Sequence, residues 1–215
     1  MYLPAAFRED RPTVLHEAIR TIRLATLVSR GAVEPFATHL PMVLDPATGA
    51  HGTLRGHIAR ANPHREILAE DGRALAIFLG PHAYLSPSYY ATKTETGKVV
   101  PTWNYIAVHV YGRAVLVDDR AALRRHVEAL TDAHEADRPA RWRVDDAPPD
   151  YVERMLEGIV GIALTIERIE GKWKVSQNRP AADRTGVVRG LETSDRADDR
   201  AIAAAVAATG DEISG

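Results

Sequence analysis

The chain of 215 residues contains no cysteine, which excludes disulfides, thiolate metal ligands and a cysteine nucleophile together. That composition suits a cytoplasmic setting. Long apolar runs are missing as well. No stretch approaches the roughly 18 residues that a membrane-spanning helix requires, and the start MYLPAAFREDRPT has neither the basic nor the apolar region of a secretory signal. Nor is there a surplus of either charge: Lys plus Arg number 27 against 29 Asp plus Glu, for a formal net charge of -2. The chain as a whole therefore offers nucleic acid no attraction, and DNA binding would need a local basic face. Without GxGxxG or a Walker lysine loop, no Rossmann or P-loop nucleotide site is encoded, and without GxSxG there is no nucleophile elbow. The nine histidines include no HxH or HExxH. His126 and His134 can share a helix face but lack a third ligand.

What is present is an ordinary globular composition, 45% hydrophobic and 26% charged, long enough for one full-sized domain. Asp10 and Pro12 predict a helix start, with Val14, Leu15, Ala18 and Ile19 on its buried face. ATLVS, VEPFATHLPMVLD and HGTLRGHIA read as strands, the last two joined by the turn Asp45 to Gly49. Asn62-Pro63 predicts the start of a short helix, PHREILAED. RALAIFLG and YIAVHVYGRAVLV read as strands, DRAALRRHVEALTDAHEA as an amphipathic helix, and DYVERMLEGIV as another. IALTIERIE is predicted to turn at Glu170-Gly171 into KWKVSQ. A short helix follows over 178–190, and the alanine-rich tail predicts a last helix. Strands that mostly pair through short turns give an α+β class with an antiparallel, barrel-like sheet. We expect a main domain over 1–191 and a helical tail over 192–215.

Polar and aromatic side chains gather in several places. The stretch from Gly80 to Gly112 carries Tyr84, Tyr89, Tyr90, Trp103 and Tyr105. Pro81, Pro87 and Pro101 and the turn Thr96-Gly97 predict that its middle is a loop, too aromatic to be disordered. Plugging a barrel end would account for the same rings. His39, His57 and His109 lie in strand-like runs and can point into a common interior, as core histidines or as ligand-pocket residues. Arg60 is expected to bind an anion or to pair with Glu66 or Glu70. In KWKVSQNR, strand alternation puts Lys172 and Lys174 on one face and Trp173 and Val175 on the other, with Gln177, Asn178 and Arg179 at the strand end. An exposed basic hairpin is the simpler reading of that stretch.

MYLPAAF, PFATHLPMVLD, LRGHIARANPH, GPHAYLSPSYY, VPTWNYIAVHVYG and GIVGIALTIERIEGKWKVSQNR, in this order, resemble the PaiB family. That family comprises FMN-binding negative transcriptional regulators related in fold to pyridoxamine-phosphate oxidases. The resemblance spans most of residues 1–191. It implies an antiparallel FMN-binding split β-barrel with peripheral helices, a homodimer, and flavin mononucleotide between the subunits. A flavin needs donors for its phosphate and apolar or aromatic walls for its rings. On that basis the resemblance implies Arg60 and Asn62 at the phosphate, and Thr38, His39 and His57 beside the flavin. Trp103, Asn104 and Tyr105 would come from the central stretch, and Lys174, Gln177 and Arg179 from the C-terminal one. Three functions follow as expectations: a regulator repressing protease or sporulation genes, a flavin-dependent oxidoreductase, or a protein for haem or another planar ligand. Direct DNA contact rests on the family alone, because no helix-turn-helix with a basic recognition helix is found.

Overall fold

The computed structural model describes residues 1–209. Its strands are β1 (Arg8–Glu9), β2 (Leu24–Arg30), β3 (Pro35–Pro41), β4 (Val43–Asp45), β5 (Thr53–Ala59), β6 (Arg73–Leu85), β7 (Thr102–Val117) and β8 (Ile159–Lys174). They form one sheet in the order β3-β2-β6-β7-β8-β5-β4, with β1 on β8. The pairs β1·β8, β2·β3, β2·β6, β4·β5 and β5·β8 are all antiparallel. The helices are α1 (Pro12–Ile22), α2 (His64–Glu70), α3 (Thr92–Thr96), α4 (Arg120–Glu135), α5 (Pro149–Glu157), α6 (Ala181–Glu192) and α7 (Ala197–Ala208). The chain is thus α+β with an antiparallel sheet, the class expected. Among the described residues no helix is long and apolar enough to cross a membrane.

The chain divides into two compact units. One consists of Met1–Arg11, Leu79–Val108 and the described part of Glu170–Gly215. Its core is built from Ala83, Leu85, Tyr90 and Val175 together with Val187 and Leu191 of α6 and Ile202, Ala203 and Val206 of α7. The alanine-rich last helix is therefore packed, and the final six residues of the 192–215 tail lie outside the described residues. Asp183, fully buried, accepts from Thr92 N and Thr92 Oγ1 at 2.9 Å each, which ties α6 to the start of α3. Gly97 ends α3 in the left-handed region at φ 67°, the conformation glycine adopts without strain.

The other unit consists of Pro12–Phe78 and His109–Ile169. Leu15 and Ile19, four apart, form the buried face of α1, while Leu123 of α4 packs with Val144 and with Val152 and Leu156 of α5. Asp119 caps α4 by accepting from Ala122 N at 2.8 Å. Arg124 faces three carboxylates, those of Glu128, Asp145 and Glu153. At Gly112, β7 approaches β8 so closely that a Cβ would lie 2.0 Å from Thr165 O. No side chain other than hydrogen fits there.

Two local expectations are corrected. The strand after Gly72 does not stop at Gly80: β6 runs through Pro81 to Leu85, and the alternation of buried positions breaks over 79–82 before Ala83 and Leu85 resume it. Proline removes one donor, which an irregular stretch accommodates without ending the strand. The predicted loop is shorter as a result, and it contains a single turn of helix over Pro87–Tyr89 as well as α3. Nor does the chain reverse at Glu170-Gly171. β8 is continuous to Lys174, because Gly171 stays extended and pairs with Glu9 while Lys172 pairs with Arg8. A glycine after an acidic residue signals a turn only where no partner strand captures it.

Candidate functional site

In the unit built on β2 to β5, the polar centre is a three-residue network. Thr38 and His39 are neighbours on β3 and so point to opposite faces. Thr38 Oγ1 accepts from Asn62 Nδ2 at 3.3 Å and lies 2.9 Å from His64 Nδ1. Asn62 also accepts from His64 N through its Oδ1 at 2.9 Å, which fixes the first turn of α2. Across this contact Thr38 donates to an unprotonated Nδ1 or accepts from a protonated one, according to the tautomer of the ring. The ring's other nitrogen is Nε2. That nitrogen is buried, the residue is 0% exposed, and no partner for it occurs among the described residues. Burial holds His64 below its ordinary pKa, consistent with a neutral ring. Phe36 closes one side, its ring edge-on to His64 at 5.1 Å.

The other expected residues of this unit have separate partners. His39 is exposed and bonds Thr26 Oγ1 through Nδ1 at 2.9 Å, across the β2·β3 register. His57 on β5 meets His126 on α4, with His57 Nδ1 3.0 Å from His126 Nε2 and the rings edge to face. Burial lowers the pKa of His57. His126 is pushed down to about 4, by burial first and then by His57 and Arg55. His109 lies instead beside Tyr111, with ring centroids 6.3 Å apart. The three strand histidines expected to share an interior thus reach three different neighbours, because alternation and register send each to its own surroundings. Arg60 donates to the carbonyls of Glu157 at 3.0 Å and Ile159 at 2.9 Å, and its Nη1 lies 2.8 Å from Asp118. Neither expected partner, Glu66 nor Glu70, takes this guanidinium. It closes the end of α5 where four carbonyls lack helical donors.

In the other unit, the residues at the end of β8 are drawn together with the start of β7. Lys174 Nζ donates to Thr102 Oγ1 at 2.7 Å and to Trp103 O. Its pKa is lowered by burial and then by the charges of Lys172 and Arg179. Lys172 is buried rather than solvated, donating to Tyr2 O at 3.1 Å with its ammonium 5.2 Å from the Tyr105 ring. This overturns the exposed basic hairpin, since pairing with β1 covers that strand. Asn104, 1% exposed, donates to Ser176 Oγ at 2.9 Å. Ser176 sits at φ 63°, a conformation that costs a non-glycine residue free energy and needs such anchoring. Gln177 folds back on its own strand, accepting from Val175 N at 2.9 Å and donating to Trp173 O. Arg179 stacks over the Tyr90 ring at 4.6 Å. Trp103 is half exposed, near His82 and Tyr84 at 6.0 Å each.

Two residues escaped the sequence reading. His64 follows a proline in a cap signature, and its place beneath Thr38 depends on a contact 26 residues away. On sequence alone His126 offers no more than a metal ligand on a helix. Its burial beside Leu123 was legible in the helical period; its partner His57, 69 residues off, was not.

Residues 1–168 match the family model described as "Putative FMN-binding domain". An uncharacterized protein of Aspergillus fumigatus is 37% identical, over 89% of this chain and 91% of that one. The Bacillus subtilis protein named protease synthase and sporulation protein PAI 2 is 32% identical, over 91% of each chain. Among solved structures, the FAD and heme binding protein from Mycobacterium smegmatis superposes with a TM-score of 0.58 at 19% identity, covering 78% of this chain and 73% of that one. That likeness bears on the fold and agrees with the split barrel expected from the sequence. With a family match over most of its length and a PaiB relative along nearly all of it, the chain belongs to the FMN-binding domain family that includes the PaiB-like proteins.

Proposed function

We propose that the protein binds flavin mononucleotide and acts, as a homodimer, as a PaiB-like regulator. The observation that carries this reading is the family match over residues 1–168, within which the Thr38–Asn62–His64 network lies. The donor set suits an oxygen-rich group. His64 Nε2 is buried with no partner among the described residues and in this reading carries the ring's proton toward the ligand, and Thr38 and Asn62 supply a hydroxyl and an amide beside it. His39 and His57 remain candidates for the ring's surroundings. In the other unit Trp103 and Tyr105 offer aromatic surface, Lys174 and Arg179 positive charge, and Asn104 and Gln177 the hydrogen bonds that hold the β8 end in place. We give Arg60 a supporting role, since carbonyls and Asp118 engage its guanidinium. A bound flavin supplies electron or hydride transfer at its ring system. Regulation is supported by the name of the Bacillus subtilis relative, which ties that protein to protease synthesis and sporulation.

The test is the visible absorption spectrum of the purified protein before and after equilibration with FMN and removal of free flavin. Retained flavin bands in the parent, and their loss in Asn62→Ala, are expected. A protein colourless after both steps would refute the cofactor reading. Retained flavin together with unchanged protease and sporulation gene expression on deletion would refute the regulatory one.

A further inference from the structure

A cavity of about 390 Å³ lies in the unit containing β4, β5 and α4. This is near the lower end of the range, about 300–1,000 Å³, in which small-molecule sites fall. Val43, Val117, Leu123 and Ile162 provide apolar walls. The space exists because α4 presents Ala122 and Ala129 where β8 presents Gly161 and Ala163. Close packing of a pure core would have filled it.

Four polar residues line the same cavity: Asp45, Arg55, Arg125 and His126. Asp45 is committed, accepting from Thr48 Oγ1 at 2.7 Å and from Arg55 Nη2 at 3.1 Å. That pair cancels in charge. His126 is 8% exposed; its Nε2 is taken by His57, and its Nδ1 is buried without a partner among the described residues. Arg125 is exposed and makes no hydrogen bond or ion pair among the described residues. The lining is therefore apolar with one uncompensated positive charge and one unsatisfied imidazole nitrogen.

We propose that this cavity binds a compact organic carboxylate with an apolar body, of the size of benzoate or a short branched-chain acid. Its carboxylate lies against Arg125 and the outer edge of Arg55, and its body against Val43, Val117, Leu123 and Ile162. A guanidinium fork matches a carboxylate in two parallel hydrogen bonds. A cation of the same shape meets a like charge, and an uncharged hydrocarbon leaves Arg125 without a partner. None of the cavity-lining residues belongs to the candidate flavin set, so this inference stands apart from the flavin reading.

The experiment titrates the full-length protein with benzoate, and with benzyl alcohol as its uncharged counterpart, by calorimetry and saturation-transfer NMR. Saturable benzoate binding is expected, with benzyl alcohol at least tenfold weaker. Arg125→Gln, an exposed change that leaves packing untouched, should weaken benzoate at least tenfold. Ala163→Leu should abolish binding by filling the space, with thermal unfolding confirming that the variant is folded. Absence of saturable benzoate binding up to about 10 mM, equal affinity for the alcohol, or undiminished affinity in both variants would overturn the proposal. FMN retention measured on the same samples keeps the outcome separate from that of the cofactor test.

Discussion

Replacing His126 with Gln should remove a large part of the protein's sensitivity to acid. His126 is 8% exposed and faces His57 at 3.0 Å, and burial, then His57 and Arg55, hold its pKa at about 4 against an ordinary 6.5. In the unfolded chain the imidazole titrates near its ordinary value. Between these two pKa values the unfolded state binds a proton that the folded state refuses. Stability therefore rises with pH across this window and is lost as pH falls through it. The contribution is fully present above pH 6.5 and levels off below about 4. At about 1.36 kcal/mol per pH unit, the displacement amounts to about 3 kcal/mol. His57, His64 and His109 are lowered in the same direction by burial and add slope of the same sign. The assay is urea unfolding followed by circular dichroism at several pH values between about 4 and 7. The parent's unfolding free energy should fall steeply across that range, and the curve of His126→Gln should be shallower by about 3 kcal/mol. Parallel curves would show that His126 takes up its proton equally in both states, and the argument from burial would fail.

Three other substitutions test separate parts of the structure. Asn104→Leu leaves the Ser176 hydroxyl buried without its donor at a strained residue. It should cost about 1–3 kcal/mol in chemical denaturation, and an unchanged midpoint would refute the anchoring role. Gly112→Ala places a Cβ 2.0 Å from Thr165 O; the forced separation of β7 from β8 should destabilise by about 1–3 kcal/mol or more, and a variant as stable as the parent would contradict the close approach. Arg60→Ala removes donors from the Glu157 and Ile159 carbonyls. It should lower stability by about 1 kcal/mol while changing FMN affinity less than tenfold in the folded variant. A larger loss of affinity would return Arg60 to the flavin phosphate.

The sheet was readable because its signals are local. Alternation in Thr53–Ala59 put Leu54, Gly56 and Ile58 on one face, and all three are buried while Arg55 and His57 are half-buried. The helix start at Pro12 was likewise set by residues within one turn. The failures share a cause. Pro81 and Gly171 carry breaker signals whose meaning depends on a distant strand. β1, only two residues long, is too short for any periodicity, yet it keeps Gly171 extended. Local propensity set the default in both places, and a partner far along the chain overrode it.

The candidate residues divide along the same line. Residue types told that Thr38, His57, Asn62 and Lys174 were polar groups in extended or capping positions, which is a statement about each residue alone. What each does is fixed by its partner: Thr38 by Asn62 and His64, His57 by His126, Lys174 by Thr102 and the Trp103 carbonyl. A hydroxyl with one proton and an imidazole with two distinct nitrogens distribute donors and acceptors only once those partners are known. The contact with Thr38 turns His64 from a helix-start residue into a buried ring whose Nε2 has no partner among the described residues. By the same logic Arg60, the sequence's strongest anion candidate, becomes a clamp on carbonyls. The chemistry of the network therefore predicts that flavin affinity follows Asn62 and Thr38 more closely than the most conspicuous cation nearby.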